Sequence, residues 1–330
     1  MKNNQKNVNT TSAQVMNRLF VGSVKKPRDL IFEENDNEIK LIMDGTKVVN
    51  DNMQTPANAF EGWAVATRAC ILDLNLDHKI VLDVSPQVHY DYENTKGQGH
   101  LARFLYRAIR FNEQYDWFEL SDALAQETDK FKEFLESGTF YNNIPNGEAG
   151  NTERVEDENT IEEALSKGNT LKNILTPTVD VGDNKVYRQL PVGLFKTGVS
   201  EENAIFTGKK SAIDLWTYNG TEISVIELKF KNKMIGIVSE IFFYSNYVYD
   251  LVSGNEWFII NNSQTEARGY EKLTVAGLYE SVNGIMLADR EKGFHPLVNG
   301  AALKVLNESN NEHIRYYMAD YEYKCEVWHG

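Results

Sequence analysis

Cysteine is nearly missing from this chain, with Cys70 and Cys325 the two examples in 330 residues. Two thiols so far apart in sequence make neither a disulfide framework nor a thiolate zinc site, and the pattern fits a reducing cytosol. The six histidines never fall at H-x-x-x-H or a similar spacing, which argues against a zinc hydrolase. No run of 18 apolar residues occurs, so no membrane span is expected. Residues 1–14 are polar and rich in Asn, without the apolar centre of a secretory leader, so export is not expected either, and this stretch reads as disordered. G-x-x-x-x-G-K-[ST] does not occur, which leaves ATP hydrolysis without support. Basic charge is scarce as well: 34 Lys and Arg stand against 48 Asp and Glu, for a net charge of -14. That balance counts against a general DNA coater, because phosphate neutralisation supplies most non-specific affinity. A phosphate-handling cleft stays open, since bound cations and a local basic patch can act on an acidic surface.

What remains is ordinary globular composition, 42% hydrophobic and 25% charged, long enough for one large or two medium domains. Residues 14–20 fit a short helix, 29–49 short strands, and 63–84 two apolar runs around Asn75-Leu76-Asp77-His78, a hairpin pattern. Residues 99–111 form an amphipathic helix with Leu101, Phe104, Leu105, Ala108 and Phe111 on its apolar stripe. His100, Arg103, Arg107 and Arg110 share one edge of it, either as a solvated or salt-bridged face or as a phosphate-contacting stripe. Residues 117–120 fit a strand and 122–135 a polar helix. Between 147 and 163 lie seven acids (Glu148, Glu153, Glu156, Asp157, Glu158, Glu162, Glu163) against Arg154 alone. This reads as a solvated linker or exposed helix start, poor in oriented ligands, and marks a boundary between an α+β accessory region, 1–160, and a second region, 161–330. There, 161–175 reads as one helix and 189–195 as a short helix or buried loop. From residue 200 the order is β-β-β-α, a weakly helical stretch over 265–281, then β-α-β. The fold class is therefore α/β, a mixed central sheet flanked by helices.

The most informative stretch runs from Lys210 to Tyr247. Two β-rich segments flank Asn219-Gly220, the strongest short hairpin signal. A two-residue loop there sets Tyr218 against Thr221, Asp214 against Val225 and Ala212 against Glu227. Asp214, Glu227 and Lys229 then project from one face of the sheet, with the carboxylates diagonal neighbours about 6–8 Å apart at the backbone. Two carboxylates at that range can share a divalent ion. The alternative is a half-exposed strand with alternating charges. Ile223 and Val225 share the face, however, and charges ending an apolar face are less expected of a solvated surface. A helix over 235–252 follows, with Glu240 and Tyr244 four apart on one side.

Asp214, then Glu227-Leu228-Lys229, then a helix resembles the signature of the PD-(D/E)XK nuclease superfamily, the restriction-endonuclease-like fold. The Pro that often precedes the Asp is replaced by Ile213. Glu240 and Tyr244 match the spacing of the Gln-x-x-x-Tyr helix of an exonuclease-type branch, with Glu for Gln. The likeness covers roughly 185–330 and is weaker outside 204–250. It implies a Mg²⁺- or Mn²⁺-dependent nuclease on nucleic acid, DNA before RNA. Asp214, Glu227 and the Leu228 carbonyl would be metal ligands, and Lys229 would orient water or stabilise charge. Glu240 would hold a metal-bound water, and Tyr244 would orient substrate or Lys229. An acid from a preceding helix is common in such families, and Glu201 or Glu202 is the nearest. Lys209, Lys210, Lys231 and Lys233 suit contacts to a nucleic-acid backbone or are solvated strand ends. Glu240 beside Tyr244 also suits an exposed acid next to a core Tyr. Two other functions stay open: an inactive nuclease-fold binding or scaffold protein, in a homo-oligomer or with a protein partner, and a phosphoesterase on a non-nucleic substrate.

Overall fold

The structure, a computed structural model, describes residues 12–35, 37–150, 157–206, 211–254, 257–261, 263, 265–275 and 278–322. Lys209, Lys210, Cys325 and most of the polar first stretch lie outside the described residues. In chain order come α1 (Ser12–Leu19), β1 (Leu30–Asn35), β2 (Glu38–Asp44), α2 (Gly45–Asn50), α3 (Phe60–Asp73), β3 (Lys79–Ser85), α4 (Gly99–Gln114), β4 (Phe118–Leu120), α5 (Asp122–Ser137) and β5 (Tyr141–Asn142). Then follow α6 (Glu158–Leu165), α7 (Thr170–Leu175), β6 (Tyr187–Pro191), β7 (Leu194–Phe195), β8 (Ala204–Phe206), β9 (Ala212–Asn219) and β10 (Glu222–Lys229). The chain closes with α8 (Ile237–Val252), α9 (Tyr270–Leu273), β11 (Ser281–Asp289), α10 (Gly300–Leu306) and β12 (Ile314–Tyr321). This is a mixed α/β protein with sheets ordered β1-β2-β3-β4, β12-β11-β10-β9-β6 and β5-β7-β8.

The five-stranded sheet positions the site. β12, β11 and β10 run parallel, while β9 pairs antiparallel with β10 and with β6. Strand alternation gives the sheet two apolar faces. Trp216, Ile223, Val225, Val282 and Met286 join the cluster that contains α8. Leu215, Ile226, Leu228, Ile285 and Leu287 join a second cluster with Ile161 and Leu165 of α6 and Leu171 and Leu175 of α7. Helices therefore cover both faces. Every residue of α8 but Tyr249 is buried, as expected of a helix that is hydrophobic all round. The larger cluster reaches from Val15 to Tyr316, so both stretches of the chain contribute to it.

Several sequence expectations are corrected. The 63–84 hairpin is instead α3, a turn and β3. Most of α3 is buried, so no amphipathic period separates it from a strand. Asn75, at φ 54°, ends the helix in a Schellman motif: Leu76 N–H donates to the Ile71 carbonyl and Asn75 N–H to that of Leu72, both at 3.0 Å. The single helix over 161–175 is broken into α6 and α7 around Gly168, at φ 56°. Residues 189–195 carry strand rather than helix; Pro191 is tolerated because β6 lies at the sheet edge. Among the described residues of 265–281 only a 3₁₀ turn (Ala267–Gly269) and α9 are helical. From β8 onward, the order of strands and helices is the one expected.

The arginine edge of α4 is not a solvated face. Arg107, 1% exposed, grips Glu61 of α3 through Nε at 2.6 Å and Nη2 at 2.7 Å. Ser239 of α8 donates to the same carboxylate at 2.6 Å. Arg110 donates through Nε to Asp250 at 2.9 Å and stacks on Trp257. These buried pairs lock α3, α4 and α8 together. Replacing one partner of such a pair leaves an uncompensated charge. Arg107→Met is expected to lower unfolding free energy by about 3–5 kcal/mol, measured by urea denaturation. Adding Glu61→Gln should recover much of that loss, and a single variant as stable as the parent would contradict this account.

Candidate active site

The hairpin between β9 and β10 sets the geometry. Its loop is Gly220-Thr221, one residue later than the sequence reading, and Gly220 takes the positive φ, 57°. Glycine first and no positive φ at Thr221 is the pattern of a type II′ turn. The observed pairs are Asn219↔Glu222, Tyr218↔Ile223, Thr217↔Ser224, Trp216↔Val225 and Leu215↔Ile226. The register thus differs by two residues from the expected one, and a shift of two preserves which face each side chain takes. One step further along this register, Asp214 stands opposite Glu227 instead of diagonal to it. Direct neighbours on a strand pair have Cβ atoms about 4.5–5.5 Å apart.

Around this pair the side chains converge. Lys229 Nζ donates to Glu227 Oε1 at 2.8 Å and lies 3.0 Å from Glu240 Oε2, which ties β10 to α8. Both acids and the lysine are buried. Asp214, half-buried, accepts from the Leu228 N–H at 2.9 Å. Tyr244, one helical turn after Glu240, shares a hydrogen bond with the Ser211 hydroxyl at 3.2 Å. Neither Glu240 nor Tyr244 is exposed, so the pairing of an exposed acid with a core Tyr does not occur.

The sequence reading missed a second set of residues. Glu158 and Glu162, four apart in the first turns of α6, belong to the acidic run read as a linker. Asp157 caps this helix by accepting from Thr160 N–H, which orients them. Glu158 accepts from the Phe230 N–H at 3.4 Å. Glu162 accepts from Gln189 Nε2 at 2.6 Å and lies 3.8 Å from Arg188 Nε. Glu201 and Glu202 lie exposed in the turn before β8, so the additional acids come from α6. Gln189 sits in β6 between the pairs Arg188↔Leu215 and Leu190↔Ile213, level with Asp214, and its φ is 55°. A left-handed non-glycine residue costs on the order of 1–3 kcal/mol and persists where its surroundings dictate it. Here Arg268 Nη1 donates to the Gln189 carbonyl at 2.6 Å. The visible signal for this set was the i, i+4 acid pair behind a capping Asp; nothing in the sequence marked Gln189.

Electrostatics follow from the crowding. Burial raises the Asp214 carboxyl well above the usual range and Glu162 pushes it further, while Lys229 and the Leu228 N–H oppose this. Burial also raises Glu227, reinforced by Asp214 and Glu240. Glu162 is raised to about 7, mainly by burial, against the pull of Gln189 and Arg188. Burial alone would lower the Lys229 ammonium, but Glu227, Glu240 and Asp214 outweigh it and raise it. Burial raises the Tyr244 hydroxyl, followed by Glu227 and Glu240, so it stays neutral.

This oxygen-rich, acid-heavy set fits a hard divalent cation. Glu227 Oε2 is buried without a hydrogen-bond donor, the kind of orphaned acceptor a cation or water satisfies, whereas Glu240 Oε2 already faces the Lys229 ammonium. Among the described residues, no three acidic, His or Cys side chains already converge as a cation cage. The Lys229 ammonium stands between Glu227 and Glu240, and Mg²⁺ commonly takes only one or two carboxylates beside water and substrate oxygens. Lys231 and Lys233 are exposed beyond β10. No helix among the described residues is long and apolar enough to cross a membrane. Compared with protein-family models, curated proteins and solved structures, the chain matches none.

The raised Glu162 carboxyl predicts a pH dependence. Its folded pKa, about 7, lies above the unfolded value of 4.5, so the native state holds the proton more tightly. The stability this contributes is complete below about pH 4.5 and is lost as pH rises through about 7. In chelator, the parent protein should lose on the order of 3 kcal/mol from this group between pH 4.5 and 8. Glu162→Gln should flatten that part of the curve in urea denaturation, and identical slopes for the two proteins would contradict the assignment.

Proposed function

We propose that this chain is a divalent-metal-dependent hydrolase of phosphodiester bonds in nucleic acid, with DNA as the first substrate to test, acting in the cytoplasm. The observation that carries the reading is the meeting of Asp214, Glu227 and Lys229 at one end of the β9–β10 pair, with Glu240 and Tyr244 of α8 beside them. The residue types and their order are those that the PD-(D/E)XK resemblance calls for. In this reading Asp214, Glu227 and the Leu228 carbonyl hold Mg²⁺ or Mn²⁺. Bound there, the cation would supply Lewis acidity.

The chain's own groups then take distinct parts. Lys229, held charged by Glu227 and Glu240, directs its ammonium at the anionic oxygens that gain charge during cleavage. Glu240 fixes the direction of that ammonium and accepts a hydrogen bond from water. Tyr244, held neutral, keeps its proton and donates a hydrogen bond to substrate. Glu158 and Glu162 add negative charge that favours a cation near Asp214.

A second reading is favoured by the net charge of -14 and by the closed Lys229 ion pairs: a nuclease-fold binding or scaffold protein without catalysis, alone or as an oligomer. Plasmid and single-strand cleavage assays with Mg²⁺ and Mn²⁺ separate the two. The parent protein should cleave, while Asp214→Ala and Lys229→Ala should each lose about 10²–10³-fold in rate. Activity that survives unchanged in both variants would rule out this site, and an inactive parent would favour the scaffold.

A further inference from the structure

Two of the three arginines on the α4 edge have carboxylate partners, and Arg103 has none. Its side chain is 5% exposed, yet it makes no ion pair among the described residues. Nη2 meets His100 Nδ1 at 2.9 Å and the Asn52 side-chain oxygen at 3.4 Å. Its guanidinium stands 5.9 Å from the Phe243 ring centroid. Among the described residues Nε and Nη1 donate to no protein atom, and neither is among the unpartnered atoms sealed from solvent. Of the groups that act on Arg103, Tyr244 and Glu240 of the candidate site favour its charge and Arg107 opposes it. Tyr244 stays neutral, and Glu240 is at ion-pair distance from Lys229 rather than from Arg103. Burial lowers the guanidinium to about 10, which leaves it charged at neutral pH.

A charged guanidinium held in place, stripped of most water and given no carboxylate is costly unless a ligand completes it. Its planar fork of donors matches the oxygens of phosphate. We propose that Arg103, steadied by His100 and Asn52, is a receptor for a phosphate group of the substrate on the Glu240–Tyr244 side of the site. The choice of a substrate phosphate rests on the phosphodiesterase reading; the receptor for the phosphate anion does not. Arg107 and Arg110 take no part, because Glu61 and Asp250 already hold them.

The test measures thermal stability and binding in chelator, so that no cleavage occurs. Inorganic phosphate should raise the melting temperature of the parent protein and of Asp214→Ala. Arg103→Met should melt higher than the parent without phosphate, because the unpaired charge is gone, and should lose the phosphate response. Arg103→Lys should fold and keep a response at least tenfold weaker in phosphate affinity, and it decides the matter if Arg103→Met fails to fold. An oligonucleotide carrying a terminal phosphate should bind the parent more tightly than its hydroxyl-ended form, with the difference reduced in Arg103→Lys and absent in Arg103→Met. A parent protein indifferent to phosphate, or Arg103 variants that respond as the parent does, would overturn the receptor even if cleavage is found. A phosphate response that depends on Arg103 in a protein that cleaves nothing would leave the receptor standing and remove the nuclease.

Discussion

The ammonium of Lys229, buried between Glu227 and Glu240, is the interaction on which the candidate site depends. Taking a lysine out of water costs several kcal/mol unless its protons find acceptors. Here Glu227 of β10 and Glu240 in the first turn of α8 supply them together, so sheet and helix must hold a fixed relation. The acids outnumber the cation. Asp214, Glu158 and Glu162 crowd the same end, and burial with mutual repulsion raises their proton affinity. Such a cluster is stable either with some of its acids protonated or with a cation added, which couples proton release to metal uptake.

The rest of the molecule maintains that relation. Ser239 and Glu240 are consecutive in α8 and point to different partners: Ser239 to Glu61 of α3, Glu240 to Lys229 of β10. Because Glu61 is clamped by Arg107 of α4, the rotation of α8 about its axis is set from both sides. Gly236, just before α8, lies so near the Gln54 carbonyl that a Cβ would overlap it, which brings the loop before α3 against the helix start. The stretch before residue 160 thus braces the helix that carries Glu240 and Tyr244.

The sequence made the central hairpin and its shared face legible, because face assignment depends only on parity. The turn position was wrong by one residue and the pairing by two, yet Asp214, Glu227 and Lys229 stayed together. The helices carrying Arg103 and Glu240 followed from spacing. What could not be read was long-range. Glu162 looks like a solvated acid until α6 is laid against the sheet and buries it, with Glu158 exposed one turn before. Gln189 sits in a strand that Pro191 and Gly193 disguise as a loop, and the Arg268 that bonds its carbonyl lies far along the chain. Buried α3 lacked the polar stripe that separates a helix from a strand in sequence.

An acidic protein that binds phosphodiesters must gather positive charge locally, and a bound cation is the most direct means. The proposed activity therefore depends on where a divalent ion settles. Anomalous scattering from crystals soaked in Mn²⁺ tests this most directly. A peak is expected within coordination distance of Asp214 and Glu227, with Glu227 released from Lys229. A peak elsewhere, or none while Lys229 still bridges Glu227 and Glu240, would contradict it.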